Sequence, residues 1–105
     1  MEIKTKEFWT VTEVVETFEI DEGFLYALEE EEVLCSVIRE DRHTKVFPAG
    51  ELEKLRLAKI LHEEMGVNLA GVDIILRMRQ NMIDMRGQFD DILEDLARSL
   101  KQTLR

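Results

Sequence analysis

Residues 33–48 decide the fold: Val33-Leu34-Cys35-Ser36-Val37-Ile38, then polar Arg39-Glu40-Asp41-Arg42-His43, then Thr44-Lys45-Val46-Phe47 ahead of Pro48. Two apolar, β-branched runs around a polar turn predict strand, turn, strand, which closes as a hairpin or wing. Pro48 cannot extend the second strand, and its fixed φ suits a helix start. Upstream, Thr10-Val11-Thr12-Glu13 has the capping-box pattern, and Val11, Val14, Val15 and Phe18 follow at helical spacing. These predict a helix of about two turns within Trp9–Phe18. Glu19-Ile20 makes a tight connection, and Asp21 stands at the N-cap of a second helix running to about Glu31. Phe24, Leu25 and Leu28 form its apolar stripe. Two short helices across a short turn, followed by a hairpin, read as a helix-turn-helix with a wing.

Downstream of Pro48, Leu52, Leu55, Ile60, Leu61 and Met65 recur on one face between Glu51 and Met65. Gly66 then falls where a left-handed helix stop favours glycine. Asn68 can cap the next helix, which carries Leu69, Val72, Ile75 and Leu76, and no proline interrupts the chain from there to Arg105. Ile75, Met78, Met82, Met85, Phe89, Ile92 and Leu96 step alternately by three and four, a heptad-like seam. After Phe89 a second stripe of Leu93, Leu96, Leu100 and Leu104 competes with it. Gly87 costs about 1 kcal/mol of helix propensity relative to Ala, which leaves room for a kink or local loosening. So long a seam finds no cover in so small a head. Dimerisation through Ile75, Met78, Met82, Met85, Phe89 and Ile92 is the simplest remedy, and folding back as a hairpin is the alternative. The expected organisation is one domain overall, with a head over 1–76 and a C-terminal helix over 77–105.

The chain has 105 residues, 45% hydrophobic and 35% charged, a soluble globular balance around one core. Five Gly and one Pro leave little for linkers, and no apolar run approaches the roughly 20 residues that span a bilayer. The start, MEIKTKEFWTVTEVV, lacks the basic-then-apolar layout of a signal peptide, so a cytoplasmic protein is expected. The lone Cys35 cannot staple the fold, and its apolar run predicts a buried small hydrophobe.

Charge narrows the function. The net charge is −9, with 23 acids against 14 bases. Residues 1–35 hold 11 acids and two bases, Lys4 and Lys6, whereas 36–66 and 67–105 each hold six of both. The whole deficit lies in the third that contains the helix-turn-helix. Such a face lacks the basic side chains that release counterions from DNA, and a basic protein partner suits it better. His43 and His62 have no Cys or second His at ligand spacing, so no metal site is expected. No phosphate-cradling glycine loop appears, nor a nucleophile with a base and an orienting group. Neither catalytic residues nor a cofactor are expected, and the chain does not read as an enzyme. The methionines of the seam read as adaptable packing.

The order helix-turn-helix, wing, helix pair, long C-terminal helix resembles the MerR superfamily of winged-helix proteins, over roughly Trp9 to Met82. The details are Trp9-Thr10-Val11 entering the first helix, Val33-Leu34 leaving the second, Lys45-Val46-Phe47 closing the wing and Glu51-Leu52-Glu53-Lys54-Leu55 opening the third. Glu64-Met65-Gly66-Val67-Asn68-Leu69-Ala70-Gly71-Val72 resembles the corresponding turn in heat-shock repressors of this superfamily and in the short chaperone-modulator (CbpM-type) proteins. The resemblance implies a mainly α fold, a MerR-like winged helix-turn-helix with a short β-hairpin wing, a helix pair and a long C-terminal dimerisation helix. MerR-type repressors carry a basic residue and a tyrosine pair on the second helix to grip DNA. Here Tyr26, Ala27 and Leu28 occupy those positions, and Glu29-Glu30-Glu31-Glu32 follows.

Chaperone modulators share the architecture and, by resemblance, bind and restrain the J-domain of a DnaJ-type co-chaperone, whose basic helix engages its chaperone partner. The leading expectation is therefore an adaptor whose acidic face binds a J-domain through Asp21, Glu22, Tyr26, Glu29 and Glu30, with Arg39 or Arg42 at the rim. Phe24 belongs more to the core than to that contact. The alternative is a MerR-family transcriptional regulator that binds a palindromic operator as a dimer, aided by Arg39, Arg42 and Lys45 in the wing.

Overall fold

The computed structural model describes residues 6–41 and 43–104. Arg42, expected at the rim of the partner contact, lies outside the described residues. A strand β1 (Phe8–Thr10) leads directly into α1 (Val11–Phe18), followed by α2 (Glu22–Glu30), β2 (Val37–Arg39), β3 (Thr44–Pro48), α3 (Ala49–Lys59), a π-helical turn (Ile60–Glu64) and α4 (Leu69–Thr103). The fold is mainly α, a winged helix-turn-helix with a long C-terminal helix, as the pattern predicts.

Local chemistry sets the boundaries. Thr10 caps α1: its side chain accepts from the Glu13 N–H at 3.2 Å, and Glu13 Oε1 accepts from the Thr10 N–H at 2.9 Å. That reciprocal pair is the capping box. Glu19 ends α1 in the left-handed region at φ 53°, which turns the chain sharply enough to bring Ile20 into the core. Asp21 occupies the N-cap of α2, yet its side chain makes no capping hydrogen bond. Gly66, at φ 70°, stops the third helical segment, and Asn68 caps α4 by accepting from the Gly71 N–H at 2.8 Å.

The core joins the head's elements. Val14 of α1, Leu25 and Leu28 of α2, Phe47 of β3, Leu55 and Ala58 of α3, and Val72 of α4 are fully buried and form one cluster. Val33 and Leu34 belong to it from the turn after α2, and Phe24 packs against its edge. Lys59 Nζ donates to the Phe18 carbonyl at 2.6 Å, which closes the C-terminus of α1 against α3.

Four details differ from the sequence reading. The wing is a three-stranded antiparallel sheet in the order β1-β3-β2, because Phe8–Thr10 pairs with β3 across Phe8↔Pro48, Trp9↔Phe47 and Thr10↔Val46. Strand β2 starts only at Val37, since Val33 and Leu34 are drawn into the core by the helix-ending turn. Cys35 is consequently exposed rather than buried: it lies in the short link that climbs out of the core, its N–H donating to Glu51 Oε1 at 2.7 Å. Finally, the second helix of the expected pair and the C-terminal helix are one continuous helix of 35 residues. α4 crosses residues 76 and 77 without a break and passes through Gly87 still helical. It projects well beyond the head, and the molecule extends 61 × 36 × 31 Å.

Candidate functional site on the helix-turn-helix face

Helix α2 and the sheet meet at a polar joint built by five side chains. Tyr26 donates its hydroxyl to Glu22 Oε1, one turn back, at 2.6 Å. Lys45 of β3 reaches across to α2, with its ammonium 3.0 Å from Glu29 Oε1 and 5.2 Å from the centre of the Tyr26 ring. Ser36, in the link before β2, donates to Glu29 Oε2 at 2.7 Å. Both Glu29 oxygens are thus engaged within the chain, and only 17% of that side chain is exposed. The hydrogen bond to Glu22 favours the neutral phenol and raises the Tyr26 pKa above its ordinary value, with small contributions from desolvation and from the negative charges of Glu22 and Glu29.

The expected contact residues divide into two groups. Asp21, Glu22, Tyr26 and Glu30 are exposed at α2 and share its solvent side with Glu31 and Glu32. Glu29 braces the face from within. In the wing, Arg39 is exposed, 3.9 Å from Asp41 and 5.8 Å from the centre of the Phe8 ring. Between Glu19 and Glu32 the chain has seven acids and no base, so the nearest wing cation, Lys45, is already neutralised by that segment. Sequence reasoning identified Glu29 and Lys45 singly but missed their pairing. Each sits at an ordinary helix or strand position, and a separation of 16 positions along the chain gives no local signal.

Elsewhere, cations are paired with near neighbours along their helices: Lys54 with Glu51, Arg56 with Glu53 and Arg77 with Asp73. Arg56 holds the Glu53 carboxyl below the usual carboxylate range through its hydrogen bond. His62 stacks on Phe24 at 5.2 Å and hydrogen-bonds the Val67 carbonyl through Nδ1 at 2.8 Å, a structural role at the end of α3. Among the described residues, no three His, Cys, Asp or Glu side chains are grouped to hold a metal ion, and no helix is long and apolar enough to cross a membrane.

The seam of α4 is open. Ile75 is 39% exposed, and Met78, Met82, Met85, Phe89 and Ile92 are each more than half exposed. The helix does not fold back, and among the described residues nothing covers this face.

The family described as MerR HTH family regulatory protein matches residues 9–92, from β1 through most of α4. The chain belongs to the MerR family. No curated protein and no solved structure is significantly similar to it. Membership agrees with the order of elements and with a regulatory role for this MerR-family chain.

Proposed function

We propose that this MerR-family chain regulates by binding a protein, as a chaperone-modulator-like adaptor whose acidic helix-turn-helix face docks on the basic surface of a DnaJ-type J-domain. The supporting observation is electrostatic. Seven acids and no base line the segment from Glu19 to Glu32, and Glu29 neutralises the adjacent wing lysine. A helix presented to DNA must offer donors to phosphates and base edges, and this one offers acceptors. The contact uses Asp21, Glu22, Tyr26 and Glu30, with Arg39 or Arg42 at the rim and Glu29 holding Lys45 in place. Attraction between opposite charges speeds association and makes it sensitive to salt. The test is affinity capture from native lysate at low and moderate salt, with wild type and the Asp21→Lys, Glu30→Lys double variant. Recovery of a DnaJ-type protein by wild type alone is expected; capture of none, or equal capture by both, contradicts the reading.

The second reading, a DNA-binding transcriptional regulator, is the one the family's description favours. A gel shift of the DNA upstream of its own gene, in the presence of a polyanion competitor, separates the two. Either reading is served by a homodimer built on Ile75, Met78, Met82, Met85, Phe89 and Ile92, since covering each large apolar side chain is worth about 1.5–3 kcal/mol. By resemblance, MerR-type dimers pair this helix antiparallel. Arg77, Arg79 and Arg86 precede Asp90, Asp91, Glu94 and Asp95 along α4, so an antiparallel mate brings opposite signs together. Each such surface pair adds only about 0–1 kcal/mol. The division into a head over 1–76 and a dimerisation element over 77–105 is part of this proposal.

A further inference from the structure

Lys45 of β3 sits where the second helix meets the wing, against Glu29 and Tyr26 of α2. It is only 36% exposed, and its ammonium is taken up by Glu29 Oε1 at 3.0 Å. Glu29 is fixed in turn by Ser36, and Tyr26 lies under the same ammonium with its own hydroxyl tied to Glu22. The lysine is therefore held by a preformed acceptor rather than by a mobile surface neighbour. Glu30, the next residue, is exposed and makes no ion pair among the described residues. Two adjacent glutamates thus carry the same charge on the same helix, and only one withholds a cation.

We propose that Glu29 is a specificity-determining residue that turns nucleic acid away from this face by occupying Lys45. The inference holds whichever protein docks there, because it concerns the polymer that is refused. A phosphate seeking Lys45 must displace a charged, doubly hydrogen-bonded carboxylate, and the released carboxylate then repels it. Replacing Glu29 with Gln keeps the shape and an acceptor for Ser36 but leaves the ammonium uncompensated. Replacing Glu30 with Gln removes an equal charge without freeing any cation. The second change is the control for net charge.

Fluorescence anisotropy with a labelled duplex of arbitrary sequence, using the full chain, provides the test. One freed lysine that neutralises one phosphate tightens binding on the order of tenfold at about 50 mM salt and steepens the salt slope by about 0.9. Glu29→Gln is therefore expected to bind on the order of tenfold more tightly than Glu30→Gln under those conditions. Adding Lys45→Gln to Glu29→Gln is expected to erase that difference. Far-ultraviolet circular dichroism of each variant verifies that the helices persist, and Glu29→Asp, which keeps the charge, is expected to stay at the wild-type level. Equal binding by Glu29→Gln and Glu30→Gln, no measurable binding by Glu29→Gln, or a gain that survives the loss of Lys45 overturns the proposal. J-domain capture is a separate readout, so failure of the partner reading leaves this result interpretable.

Discussion

Tyr26 reports on the joint between helix and wing by itself, because the chain has a single tyrosine. Its hydroxyl donates to Glu22, an interaction that exists only while the phenol keeps its proton. Phenolate absorbance should therefore appear at higher pH than the ordinary value of about 10, and Glu22→Gln should return it toward that value. The folded-state pKa is the raised one, so this contribution to stability is whole below the unfolded value and is lost as pH rises through the folded value. A phenol titrating as free tyrosine in the folded protein contradicts the bond. The core permits a second prediction at this scale. Leu25 and Leu28 are fully buried on α2, so either change to Ala should cost about 2–5 kcal/mol in urea denaturation. The sequence announced both leucines through their spacing. Cys35 misled: an apolar neighbourhood in the chain became a solvent-facing link, because Val33 and Leu34 alone were needed by the core. The Glu29–Lys45 pair was invisible for a related reason, being made only when the wing closes on α2.

Among the elements, those with local signals were legible and those made by tertiary pairing were not. The capping box, the turn at Gly66 and the Asn68 cap each satisfy backbone groups within a few residues, so their residue types betray them. Strand β1 has three residues and exists only by pairing with β3, while the π-helical turn at Ile60–Glu64 has no sequence signature. Nor did the sequence fix where the helix pair ended and the C-terminal helix began, since Asn68 starts one helix that serves both purposes. Thr10→Ala removes the side-chain half of the capping box and should destabilise the fold by about 1 kcal/mol, read from the thermal or urea transition. An unchanged transition contradicts the cap's role. Gly66→Ala places a Cβ on a left-handed residue and should cost about 1–2 kcal/mol, although open space surrounds the position. The cost is conformational, so Gly66→Asn should be milder than Gly66→Ala.

At the scale of the whole molecule, a compact head carries a helix of 35 residues, about 52 Å long at the usual rise. Its apolar seam was legible as a period, and the structure adds that no other part of the described residues covers it. A homodimer should therefore be found by sedimentation equilibrium, and Met82→Glu with Met85→Glu should give a monomer whose head remains folded. A monomeric mass for wild type at tens of micromolar, with α4 intact, contradicts the dimer. The charge asymmetry is the other molecular property: the chain's first third carries the entire net deficit, and the one wing lysine among the described residues is spent internally. The central claim is that this face selects a basic protein. The most direct measurement is an anisotropy titration of purified, labelled J-domain from a DnaJ-type co-chaperone at about 50 and about 200 mM salt, beside the DNA upstream of the chain's own gene. The account predicts saturable J-domain binding that weakens at higher salt and is lost in the Asp21→Lys, Glu30→Lys variant, with no specific binding of the DNA. Tight, specific binding of that DNA with none of the J-domain would contradict it.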